Sequence, residues 1–144
     1  MTLAIPLRFP YLEVDPSLGT ASAMPYIPIM LQLGDHSVSV SALVDSGATL
    51  NALPFDVGLQ LGAVWEAQKM PVRLSGNLSE TEALGLVLTG RVAGCAPVKL
   101  VFAWSQSSSI PTILGQTNFF MEHDVRVCRS KGYFEITPQG AASA

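Results

Sequence analysis

The chain has 144 residues, 49% apolar and only 13% charged, with a net charge of −3. That length suits one domain with a real core, and the acidic balance lacks the basic face that nucleic-acid binding requires. With a mean hydropathy of +0.38, more apolar surface is present than one small globule hides, and a subunit interface is the simplest outlet.

In chain order, Met1–Pro10 has no early basic residue and two prolines, which makes a poor secretory signal. Ile27, Ile29, Leu31 and Leu33 fall on one face of a strand. Gly34-Asp35-His36 supplies a turn, and Val38, Val40, Ala42 and Val44 continue as the second strand of a hairpin. A further extended stretch is expected at Leu50–Leu53. Pro54 can open a short helix through Phe55–Leu61, with Gly62 placed to stop it. Val72–Leu74 and Ala83–Leu88 read as two strands around the polar segment Ser75–Glu82, and Val98–Trp104 as another. Ser105–Ser109 is a polar loop, Thr117–His123 a short helix, Tyr133–Ile136 a late strand and Gly140–Ala144 a frayed tail. The longest charge-free run, Leu100–Met121, is interrupted by serines, glutamines and Pro111, so no transmembrane helix is expected. Cys95 and Cys128 have no metal-ligand spacing and read as reduced thiols of a cytoplasmic protein.

These signals predict a mostly β fold, mainly antiparallel, as a sandwich or partly closed barrel with one or two short helices. Residues 1–24 are expected to form an N-terminal arm, 25–137 the domain and 138–144 a flexible tail.

Five aspartates occur, and Asp45 stands apart. It closes the apolar strand Ala42-Leu43-Val44, and no other charge follows until Asp56. A carboxylate at the end of a buried strand is costly unless hydrogen-bonded or paired. Ser46, Gly47 and Ala48 are small enough to let a ligand approach.

The run Ala42-Leu43-Val44-Asp45-Ser46-Gly47-Ala48-Thr49-Leu50-Asn51-Ala52-Leu53 resembles the active-site signature of aspartic proteases. About seventy residues downstream, Ile113-Leu114-Gly115 resembles the apolar-apolar-Gly segment that crosses behind the catalytic loop in that family. The order and spacing are similar to the single-domain, retroviral-type members, the retropepsins, over roughly Ile27–Ile136. The resemblance implies an acid-protease-like lobe that acts as a homodimer, because one chain offers a single Asp-Ser-Gly and aspartic proteolysis uses two carboxylates. Two carboxylates about 3 Å apart repel by about 5 kcal/mol at an effective dielectric near 20. The pair therefore holds one proton between them.

The same resemblance assigns roles to individual residues. Asp45 is the catalytic acid, and Ser46, Gly47 and Ala48 support its loop, with the Gly47 N–H donating to the carboxylate. Ile113, Leu114 and Gly115 pack behind. Met70–Gly90 takes the place of a flap over the substrate, with Gly76 and Asn77 at its tip. Thr49, Gly76, Asn77 and Ile110 are expected to contact an extended peptide or unfolded protein substrate. No metal, cofactor, nucleic acid or membrane is implied. Retroviral members carry an acid and an arginine where this chain has Thr49 and Gln116, so the ion pair that braces their dimers is missing here. The arm Thr2–Val14 is expected either to pair with Tyr133–Ile136 in an interface sheet or to lie across the cleft.

Other constellations are weaker. His123-Asp124 has no Gly-x-Ser-x-Gly nucleophile elbow to serve, and two histidines with scattered acids make a poor catalytic metal site. His36 is expected in an exposed turn, Glu80 and Glu82 on a solvated face, and Trp65 and Trp104 in the core or an interface. The charge-free segments around Asp45 lead to the expectation of apolar residues on both sides of the cut. The rival reading is a catalytically silent module that uses the same cleft to hold a peptide.

Overall fold

In a computed structural model, residues 5–74 and 82–139 are described. The alternation in the hairpin produces β4 (Tyr26–Leu33) and β5 (His36–Val44). Ile27, Ile29 and Leu31 of β4 are almost completely buried, and their neighbours face outward. His36 opens β5 instead of closing the turn, and it stays exposed. The chain continues through β6 (Asn51–Leu53), α1 (Phe55–Gln60), β7 (Pro71–Val72), β8 (Ala83–Arg91), β9 (Val98–Ser105) and β10 (Thr112–Leu114). Then come α2 (Phe119–Glu122), β11 (His123–Cys128) and β12 (Tyr133–Pro138). Before β4 lie β1 (Leu7–Pro10), β2 (Leu12–Glu13) and β3 (Ala23–Met24).

The fold is all-β with a few short helices. Strands run in the order β4-β5-β10-β6-β9-β8, and β8 pairs back onto β4 through Leu31↔Gly90 to close a six-stranded barrel. β7 extends this sheet from β8. Closure leaves the barrel without a free edge. Most pairs are antiparallel, but β10 lies parallel to β5 and β6 parallel to β9. β6 and β10 are covered on both faces, and all six of their residues are buried.

The core runs along the barrel interior and out under α2, with Phe102, Trp104, Phe119, Leu114 and Phe134 fully enclosed. Trp104 meets the expectation of a core position. Its ring stacks on Phe55 at 5.5 Å, and its Nε1 donates to the Phe55 carbonyl at 3.1 Å. Trp65 packs on its edge at 5.2 Å. The short helix α1 ends where Gly62 takes a left-handed φ of 79°, a conformation that favours glycine.

β1, β12 and β11 form a separate three-stranded sheet. Its inner face carries Leu7, Phe9, Val125 and Phe134 against the core. The arm residues Leu7–Pro10 thus pair with Tyr133–Ile136, one of the two places expected for them. β11 was not anticipated from the sequence, where Thr117–His123 reads as helix. The helix keeps only Phe119–Glu122, and from His123 the chain is extended. Val125 and Val127 alternate there with Asp124 and Arg126, the period of a strand with one apolar face.

Candidate active site

The motif loop begins where β5 runs out. Leu114 of β10 lies beside Val44, and its carbonyl accepts the Asp45 N–H at 2.9 Å. The chain then turns tightly, with the Ala48 N–H donating to the Asp45 carbonyl at 3.1 Å. Within that turn the Gly47 N–H donates to Asp45 Oδ1 at 2.9 Å. The half-buried carboxylate therefore has one fixed donor and remains open to solvent on the other side. Among the described residues no cation lies within ion-pairing distance of it; the ion pairs found join Glu135 to Arg8 and Arg126.

Behind this loop the segment after β10 crosses at close range. The Gln116 and Thr117 N–H groups donate to the carbonyls of Ala48 and Thr49 at 2.9 and 2.8 Å. Gly115 makes that approach possible: a Cβ there would sit 2.6 Å from the Leu50 carbonyl oxygen and 2.7 Å from that of Ala48. The Gln116 side chain reaches forward, its Nε2 donating to the Ser46 carbonyl at 2.9 Å. At the place where an arginine is missing, a neutral amide thus ties the crossing segment to the loop.

Asn51 completes the frame and escaped the sequence reading. It is fully buried in the otherwise apolar run Leu50–Leu53. Its Oδ1 accepts the Gly115 N–H at 2.8 Å, and its Nδ2 donates to the Val101 carbonyl at 3.0 Å. Asn118 does the same work from outside, accepting the Val101 N–H and donating to the Lys99 carbonyl. The available signal was the polar residue itself: a carboxamide inside a buried strand must be satisfied.

Two clefts flank the loop. One, of about 250 Å³, is lined by Ala48, Thr49 and Leu50 of the loop together with Ala52, Arg73, Leu74 and Ile113. The other, of about 320 Å³, lies between Asp45-Ser46 and the three-stranded sheet, where Met24, Leu43, Phe120, Val125 and Val127 make it apolar.

Asp45, Ser46, Gly47 and Ala48 thus share one loop, and Thr49 faces the first cleft. Ile113, Leu114 and Gly115 lie behind that loop, Ile113 and Leu114 both buried. Ile110 is 8% exposed and belongs to the same buried apolar cluster as Leu74 and Ile113, two of the residues that line the first cleft. Gly76 and Asn77 lie outside the described residues. His123, set aside as a catalytic group, is 2% exposed and stacked on Phe119 at 4.3 Å. Among the described residues no three His, Cys, Asp or Glu side chains come together to hold a metal ion, and no helix is long and apolar enough to cross a membrane.

This chain is similar to the crystal structure of a retropepsin-like aspartic protease from Rickettsia conorii, with a TM-score of 0.64 at 14% identity, over 96% of each chain. No protein-family model and no curated protein matches it. The class defined at this level is the retropepsin-like fold.

Proposed function

We propose that this chain is an aspartic endopeptidase active as a homodimer, in which the two Asp45 carboxylates activate a water between them. The observation that carries the reading is Asp45 itself, oriented by the Gly47 N–H, unpaired with any described cation and lining one cleft while Ala48 and Thr49 of the same loop line another. The ionised member of the pair takes a proton from the water while the protonated member polarises the scissile carbonyl. An extended peptide would lie over Ala48 and Thr49 and bond through its main chain.

A symmetric partner is required because one carboxylate cannot be acid and base together. The apolar cleft beside Asp45 supports this, since it continues to Val127, which is 56% exposed. β11 pairs on one side with β12 and, among the described residues, with no other strand. Placing Val125 opposite its twin on a two-fold axis sets Asp124 against Arg126 twice, a favourable cross-strand match. Both cysteines are free thiols, which agrees with a reducing, cytoplasmic setting.

The test is cleavage of a peptide library between pH 3 and 7 by the wild type and by Asp45→Asn. Cleavage that disappears in the variant while its melting temperature is kept supports the proposal. A wild type that dimerises and binds peptides yet cuts none of them supports the silent peptide-holding module instead.

A further inference from the structure

The expectation of purely apolar specificity rests on the charge-free run around Asp45. The fold brings a charge to that run from elsewhere. Arg73, just past β7, lines the cleft formed by Ala48, Ala52, Leu74 and Ile113, and among the described residues it is the one charged residue that does so. Leu74 and Ile113 are each 8% exposed, so the walls are apolar and firmly packed. Arg73 itself is exposed.

We infer that Arg73 is a specificity residue and that this cleft takes a glutamate side chain of the bound peptide. This rests on the proposed peptidase reading, since it concerns the substrate of the same site. A glutamate has the matching form: methylenes to lie against Ala52 and Ile113, and a carboxylate to receive the planar fork of an arginine. Among the described residues that line the cleft there is no carboxylate to compete for the guanidinium. A lysine or arginine in the same place would meet a like charge and be rejected. Leucine would fill the walls but leave the guanidinium without a partner.

The experiment uses peptides that differ at one position beside the scissile bond, carrying Glu, Gln, Leu or Lys. With the wild type, kcat/KM for Glu should exceed that for Gln by about tenfold at low salt, and the margin should shrink at high salt. Arg73→Met should invert the Glu-to-Leu ratio, and Arg73→Glu should turn the preference toward Lys. Binding of the same peptides to Asp45→Asn, read by fluorescence anisotropy, reports the preference without catalysis. Cleavage with equal rates for Glu and Gln overturns this inference and leaves the peptidase reading intact. Glu-selective, Arg73-dependent binding with no cleavage by the wild type does the reverse. If peptides are neither cut nor bound, both fall.

Discussion

The Asn51 carboxamide joins three separate parts of the chain at once: the Gly115 N–H, the Val101 carbonyl and the Asn118 side chain. The Gly115 N–H bond is buried, and the other two are partly so. Asn51→Leu keeps the volume roughly but strands the Gly115 N–H and the Val101 carbonyl. A buried polar group left without a partner costs about 1–3 kcal/mol, so the variant should lose about 2–4 kcal/mol of stability in urea unfolding. A loss below about 1 kcal/mol would mean that the loop does not depend on this bridge. Gly115 works in the same frame by absence, since any side chain there would run into two carbonyl oxygens of the motif loop.

Among the elements, β11 has the least obvious role. Its inner residues Val125 and Val127 face the cleft that contains Asp45, and its outer residue Arg126 is held by Glu135 at 3.1 Å. Glu135 also binds Arg8 of β1, so the Glu135 carboxylate is already occupied within one chain. The apolar side and the open edge are what remain for a partner. Val127→Asp should therefore convert a dimer to a monomer in sedimentation velocity and abolish cleavage, with little change in the melting temperature of the single chain. A dimer that persists with this substitution would place the contact on another surface.

Across the whole molecule, two titrating groups make the fold sensitive to acid. Burial holds the His123 imidazole below its ordinary value of 6.5, against smaller opposing effects of the Phe119 carbonyl and Glu122. The folded state therefore prefers neutral His123. The unfolded chain takes up more protons below pH 6.5, so stability falls as pH drops through that value toward the lowered one. The hydrogen bond from Arg8, joined by that from Arg126, holds Glu135 below the ordinary carboxylate value of 4.5. Its contribution is present above pH 4.5 and is lost as pH falls through the folded value. Melting temperatures should thus decline in two stages on acidification, first below about pH 6.5 and again below about pH 4.5. His123→Phe should flatten the first stage and leave the second. An unchanged slope in that variant would assign the acid sensitivity elsewhere.

The hairpin β4–β5, the α1 stop at Gly62 and the motif loop at Asp45 were legible in the residues because each depends on neighbours in the chain. Alternation, a proline with a glycine stop, and a lone acid after an apolar strand are local signals. β10 between β5 and β6, the Asn51 bridge, the choice of β12 rather than the cleft as the place of β1, and the arrival of Arg73 at the cleft were not legible. These are contacts between segments about twenty to more than a hundred residues apart. Barrel closure decides them, because hydrogen bonds and burial across the sheet reward partners that no local pattern names.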